Sequence, residues 1–154
     1  MNGKELMADL ARRLNIEVPK GDSLSFEADD LAVTVNYIVE IDALVLVGDV
    51  GEPPPERLEG LYKTILSANH LFAGTGGATL ALDGDSGRVT LCRTLPLALL
   101  DADSLYADVE RFVNTAETWR KIVVDYRGAA ETASSLGAEA LDSPSFPGGG
   151  FMQV

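Results

Sequence analysis

The stretch that decides the fold runs from Leu58 to Tyr126 and falls into three parts: LEGLYKTILSANHLFAGTGG (58–77), ATLALDGDSGRVTLCRTLPLALL (78–100) and DADSLYADVERFVNTAETWRKIVVDY (101–126). In the first part Leu58, Leu61, Tyr62, Ile65, Leu66 and Phe72 recur at helical spacing and predict a helix over 56–72. Its apolar face is broad, which implies cover from the sheet and from a second subunit. Gly74-Thr75-Gly76-Gly77 then breaks the chain. The second part reads as a hairpin, with strands over 78–82 and 89–95 around the turn sequence Asp83-Gly84-Asp85-Ser86-Gly87. In the third part Leu105, Val109, Phe112, Val113, Ala116, Trp119 and Val123 share one helical face, with Asp101 or Asp103 as the cap.

The chain before this block supplies one more helix and three more strands. Leu6, Leu10 and Leu14 recur every four residues, widened by Met7 and Ala11, and predict an amphipathic helix over 4–16 that Pro19 and Gly21 end. A short strand is expected over 24–27. Next, 31–40 alternates, with Leu31, Val33, Val35, Tyr37 and Val39 on one face. The apolar run 43–47 suits a strand covered on both faces. The links at Asp29-Asp30 and Ile41-Asp42 are too short for crossovers, so these strands form an antiparallel meander. Gly48 to Pro55 reads as a loop whose three prolines lead into the next helix. The expected fold class is α+β: an antiparallel sheet of about five strands with three helices, in the order α-β-β-β-α-β-β-α.

Composition narrows the function. Twelve basic against 24 acidic residues leave a net charge of −12 over 154 residues, which argues against nucleic acid and against anionic membranes. The N-terminal segment scatters charges among its apolar residues, so neither a signal peptide nor a membrane span is expected, and the cytoplasm is the default location. The single cysteine, Cys92, excludes an internal disulfide and sits in an apolar strand pattern.

No catalytic constellation emerges. The Gly74–Gly77 segment lacks the Lys-Ser/Thr ending of a phosphate loop and precedes a strand rather than a helix. Asp83, Asp85 and Gly87 resemble the opening of a calcium loop, but Thr94 stands where the bidentate glutamate belongs. His70, the one histidine, follows Asn69 near a helix end, and with Cys92 it cannot supply a tetrahedral zinc site without help from carboxylates. No metal, cofactor or catalytic residue is expected.

The order of elements resembles the class I type III secretion chaperones, the Tir-chaperone or CesT-like family. The residues that carry the resemblance are Leu66-Ser67-Ala68-Asn69 late in the second helix, Leu80-Ala81-Leu82-Asp83 before the turn and Val89-Thr90-Leu91 after it. Leu95-Pro96-Leu97 and Phe112 through Trp119 in the last helix complete the match. It covers 4–126, so 1–126 is expected to be one chaperone-like domain. Residues 127–154, small, polar and glycine-rich, lie outside the pattern and read as a flexible low-complexity tail.

The resemblance implies a non-enzymatic homodimer of the bacterial cytoplasm that binds an extended N-terminal segment of an effector and keeps it secretion-competent. Such a segment can add to a sheet edge and place alternate apolar side chains in grooves. Leu6, Leu10, Leu14, Val33, Val35 and Tyr37 are the candidate cargo-binding residues, between the first helix and the early strands. Leu61, Ile65 and Phe72 are the candidate dimer interface. The segment from Phe146 to Met152 is a candidate cargo mimic for an apolar groove. Two other readings stand beside this one. One is an adaptor or regulatory domain of the same fold that binds a protein partner outside secretion. The other is a small ligand-binding domain or enzyme with a polar site near Gly74–Gly77 and Asp83–Asp85.

Overall fold

The first helix shows how the local rules set the boundaries. The structure, a computed structural model, describes residues 1–128, and the expected tail lies, from residue 129 on, outside the described residues. Helix α1 (Gly3–Arg13) opens with a capping box: Asn2 accepts from the Glu5 amide, and the Glu5 carboxylate accepts from the Asn2 amide. It closes earlier than Pro19 and Gly21 suggest. Asn15 adopts a left-handed conformation with φ of 57°, and the Ile16 amide donates back to the Ala11 carbonyl. Together with the Asn15 amide bonded to the Arg12 carbonyl, this is a Schellman closure, which turns Ile16 back toward the core.

Strand β1 (Ser23–Ala28) pairs with β2 (Leu31–Ile38) through a tight turn in which both Asp29 and Asp30 are left-handed. A 3-10 turn (Val39–Ile41) and the left-handed Asp42 lead into β3 (Ala43–Gly51). This strand runs beyond the expected loop start at Gly48, with a register shift between Asp49 and Gly51. Helix α2 (Leu58–Asn69) starts at a left-handed Arg57 and continues as a 3-10 turn (His70–Phe72). The hairpin of β4 (Thr79–Leu82) and β5 (Val89–Pro96) precedes α3 (Ala102–Val124). Asp101 caps α3, accepting from the Ser104 amide at 2.7 Å.

The five strands form one antiparallel sheet in the order β1-β2-β3-β5-β4, and the element order is the expected one. The register puts Leu24, Val35, Leu46 and Arg93 on one face, with Phe26, Val33, Gly48, Leu91 and Leu80 beside them. All three helices cover that face, and its apolar strand residues join Leu6, Leu10, Leu61, Phe112 and Trp119 in a single core. Gly48 makes room for α3: a Cβ there would lie 3.2 Å from the Phe112 ring.

The opposite face carries Thr34, Asn36, Val45, Val47, Thr90 and Cys92, all only partly buried. The expectation that the 43–47 strand is covered on both faces therefore does not hold among the described residues. Its apolar run reflects a central position in the sheet, where flanking strands shield Val45 and Val47 edge-on.

Candidate functional site

An antiparallel sheet has two edges, and this chain treats them differently. At the β4 edge, the Asn69 side chain makes two hydrogen bonds to one residue. Its amide nitrogen donates to the Leu80 carbonyl, and its oxygen accepts from the Leu80 amide, both at 2.9 Å. In an antiparallel pair each residue turns both backbone groups the same way, so this clamp occupies the side of Leu80 that faces away from β5. The carboxamide copies the donor and acceptor of a neighbouring strand and blunts that edge. The chain reaches Asn69 this way because the loop after α2 is tight. A Cβ on Gly74 would lie 2.9 Å from that of Ala68, and the Trp119 indole donates to the Gly74 carbonyl at 2.8 Å.

At the other edge, β1 pairs only with β2 among the described residues. A groove of about 370 Å³ runs beside it. The end of α1 contributes Leu14 and Ile16; β1 contributes Phe26, Glu27 and Ala28; α3 contributes Tyr106, Val109, Glu110, Val113 and Asn114. The Schellman closure at Asn15 places Leu14 and Ile16 there. Arg13 ties the wall together: it donates to Asp9 at 2.6 Å and to Asp103 at 2.8 Å, and it lies over the Tyr106 ring at 5.9 Å. The Asp103 bond holds the Arg13 guanidinium above its ordinary range against the opposing cost of desolvation, and Asp9 adds to the effect. Apolar side chains dominate the lining, and α3 adds the exposed carboxylate of Glu110, whereas strand alternation turns the Glu27 side chain to the opposite face from Phe26. Such a site accepts apolar side chains from an extended backbone and prefers neutral or basic neighbours.

The candidate cargo residues divide on this geometry. Leu14 lines the groove, whereas Leu6, Leu10, Val33 and Val35 are fully buried between α1, α3 and the sheet. Among the described residues only one face of the sheet is covered, and the residues that α1 and β2 turn toward each other are core rather than an open cleft. Tyr37 sits at the other end of α1, its ring against Gly3 and its hydroxyl donating to Asp42 at 3.4 Å. Burial, then Asp42 and Asp22, push its phenol above the ordinary range against the opposing pull of Lys4. Phe26, Ile16, Tyr106 and Val113 were not among the candidates. For Tyr106 and Val113 the signal was a stripe on the last helix wider than the sheet covers.

The candidate interface residues also turn inward. Leu61 is buried, Ile65 is 8% exposed and Phe72 is partly buried. The outward apolar side chains of this helix and its 3-10 extension are Leu66 and Leu71, each 68% exposed. Leu71 and Phe72 both take left-handed backbone conformations, which swing Leu71 out to solvent.

The polar candidates build nothing larger. Thr75 in the Gly74–Gly77 loop is buried, and Asp83 accepts from Ser86 at 2.6 Å and from the Asp85 amide inside an exposed turn. Among the described residues no group of three or more His, Cys, Asp and Glu side chains could hold a metal ion. No described helix is long and apolar enough to cross a membrane.

Comparison with known proteins bears on the family and the fold. A family model described as the Tir chaperone protein (CesT) family matches residues 5–120. No curated protein sequence matches the chain. Among solved structures, a chain of the ExsC–ExsE complex superposes with a TM-score of 0.69 at 21% identity, covering 80% of this chain and 95% of that one. A chain of the HopA1–SchA chaperone–effector complex gives a TM-score of 0.63 at 20% identity, covering 77% and 92%. A chain of the heterodimeric ExoU–SpcU complex from the type III secretion system of Pseudomonas aeruginosa gives 0.59 at 17% identity, covering 77% and 94%. At these identities the structures testify to the fold, and the family match, spanning three quarters of the sequence, shows that the chain belongs to the Tir chaperone protein (CesT) family.

Proposed function

We propose that this protein is a non-catalytic, homodimeric type III secretion chaperone of the bacterial cytoplasm. It holds an extended N-terminal segment of an effector as an added strand on β1, with alternate apolar side chains seated in the groove. One observation carries the reading: the sheet edge with no partner strand among the described residues runs along the apolar groove, while Asn69 occupies Leu80 at the other. Main-chain bonds to β1 give affinity without regard to sequence, and the groove selects apolar side chains at every second position. The family membership and the chaperone–effector complexes among its structural relatives support the same reading.

Homodimerisation is proposed through the surface around Leu66 and Leu71, two large apolar side chains that a monomer leaves in water. Leu66→Asp and Leu71→Asp should give a folded monomer by light scattering, and a wild-type-like dimer from both variants places the interface elsewhere.

The cargo reading is tested by recovering the bound effector from the native host and titrating its N-terminal segment against the purified chaperone. Hydrogen exchange should slow at the amides of 23–28, and Val113→Asp should weaken binding at least ten-fold without changing the circular dichroism. Protection confined to the open sheet face or to α2, with β1 unchanged, defeats the reading.

A further inference from the structure

We infer that residues 143–154 of the same chain occupy the β1 groove when no cargo is bound, as an internal competitor for the site. The inference rests on the groove being the cargo site proposed above. The groove is lined by Leu14, Ile16, Phe26, Tyr106, Val109 and Val113, and nothing among the described residues fills it. The chain continues for 26 residues beyond the last described residue, Gly128.

Reach permits the contact. From Val124, near the end of α3, back to Val109 in the groove is fifteen helical residues, or about 22 Å. The eighteen residues from Gly128 to Phe146 span up to about 60 Å when extended. The tether is therefore long enough to double back along α3 and lay Phe146 and the residues after it beside β1.

Charge and shape single out which part of the tail fits. Glu131, Glu139 and Asp142 are acidic, and the groove carries the exposed carboxylate of Glu110 in a chain of net charge −12, so the stretch before residue 143 is disfavoured there. From Ser143 to Val154 there is no charged side chain, and Phe146, Phe151 and Met152 offer apolar anchors. Gly148 to Gly150 carry no side chains and let the backbone lie close to the groove wall.

The same sequence makes the tail a weak occupant. Pro144 and Pro147 lack backbone donors, so the segment cannot complete a hydrogen-bonded ladder with β1. Tethering compensates, because a linked segment whose tether spans the gap acts at an effective concentration on the order of 1 mM. A segment that binds at about 0.1–1 mM when free would then occupy the groove half to nine-tenths of the time. An effector segment that completes the ladder displaces it. The groove stays shielded from other apolar segments and still opens to cargo.

The test uses the full chain and a fluorescent peptide of residues 143–154 as the probe. By anisotropy, the peptide should bind the full-length Phe146→Ser/Phe151→Ser protein about two- to ten-fold more tightly than the wild type, whose own tail competes. Adding Val113→Asp to that variant should abolish the gain. Equal affinity for wild type and variant, or binding that ignores Val113→Asp, overturns the inference. As a check independent of folding, a photoreactive benzoylphenylalanine at position 146 should crosslink to the peptides that carry Phe26 and Tyr106–Asn114. In mixtures of isotopically light and heavy protein the crosslink should stay within one copy. Crosslinks elsewhere, between copies or absent also overturn it. The two readings separate cleanly. An effector segment that protects β1 but binds wild type and variant equally removes the tail and leaves the cargo site. A tail that crosslinks in the groove while the effector docks elsewhere does the reverse.

Discussion

Replacing Asn69 by alanine tests the asymmetry between the two sheet edges. The substitution deletes two hydrogen bonds of 2.9 Å and leaves the Leu80 amide and carbonyl without their partner. A hydrogen bond contributes about 1 kcal/mol net, and a polar group left unsatisfied costs about 1–3 kcal/mol when it is buried. Leu80 is 3% exposed, but its backbone groups lie at the sheet edge, where water can reach them once the side chain is cut back. The expected loss is therefore about 1–3 kcal/mol, which for a domain of this size lowers the midpoint of thermal unfolding by about 4–12 °C.

Urea denaturation gives the free energy, and residue-resolved hydrogen exchange gives its location. In Asn69→Ala the Leu80 amide should lose protection while those of Thr79 and Ala81, which face β5, keep theirs. Asn69→Asp should be worse than Asn69→Ala near neutral pH, because a carboxylate oxygen would face the Leu80 carbonyl. That repulsion raises the carboxyl pKa in the folded state. The variant should recover as the pH falls and the acid protonates into a donor, and lose stability again as the pH rises through that raised pKa. A loss under about 0.5 kcal/mol for the alanine variant, or unchanged protection at Leu80, would refute the clamp as the reason β4 is closed.

Three further outcomes follow from other contacts. Asp108 accepts from Arg111 at 2.6 Å and lies 3.2 Å from Arg93, whose side chain is only 12% exposed. Asp108→Ala takes the carboxylate away from both guanidiniums and should cost about 1–3 kcal/mol in urea unfolding. Gly48→Val should destabilise by about 1–3 kcal/mol, because the new methyls meet Phe112 and Ala116 where even a Cβ sits at 3.2–3.4 Å. The Ser104 amide and hydroxyl hold the Asp101 carboxyl below its ordinary value of 3.8. Asp101 therefore contributes stability above that value and loses it as the pH falls through the lower folded-state pKa. Asp101→Asn keeps a capping acceptor without the charge, so its acid unfolding curve should lack this contribution.

Much of the architecture was legible because local rules and periodicity agree. The alternation of 31–40, the Asp83–Gly87 turn and the long stripe from Leu105 to Val123 each have one geometric reading, and the strands and helices stand there. The ends were less legible where backbone conformation, not composition, decides. Asn15 ends α1 before the proline and glycine that look like stops, and β3 continues through Gly48 because Phe112 and Ala116 need a residue without a side chain there. The sites were least legible, because an apolar pattern says which side chains leave water and not what covers them. Leu6, Leu10, Val33 and Val35 carry as strong a pattern as any cargo groove would, and the chain's own α3 takes them first. Leu61 and Ile65 likewise face inward, leaving Leu66 and Leu71 outside.

The residues that define the groove were visible only as a surplus. On α3 the stripe of Leu105, Phe112, Ala116 and Trp119 suffices to cover the sheet, and these residues are buried. Tyr106 and Val113 lie to one side of that stripe, are only partly buried, and need a second surface to face. In a larger domain another helix would supply it. Here α1 ends at Arg13, and β1 has no further strand beside it among the described residues. The early stop of one helix, the unused flank of another and the open strand edge all meet at the same place. An added extended segment would satisfy all three at once, giving β1 a hydrogen-bonding partner and Tyr106 and Val113 an apolar neighbour. The incompleteness of the fold at this edge and the strand addition proposed for it thus have one physical basis.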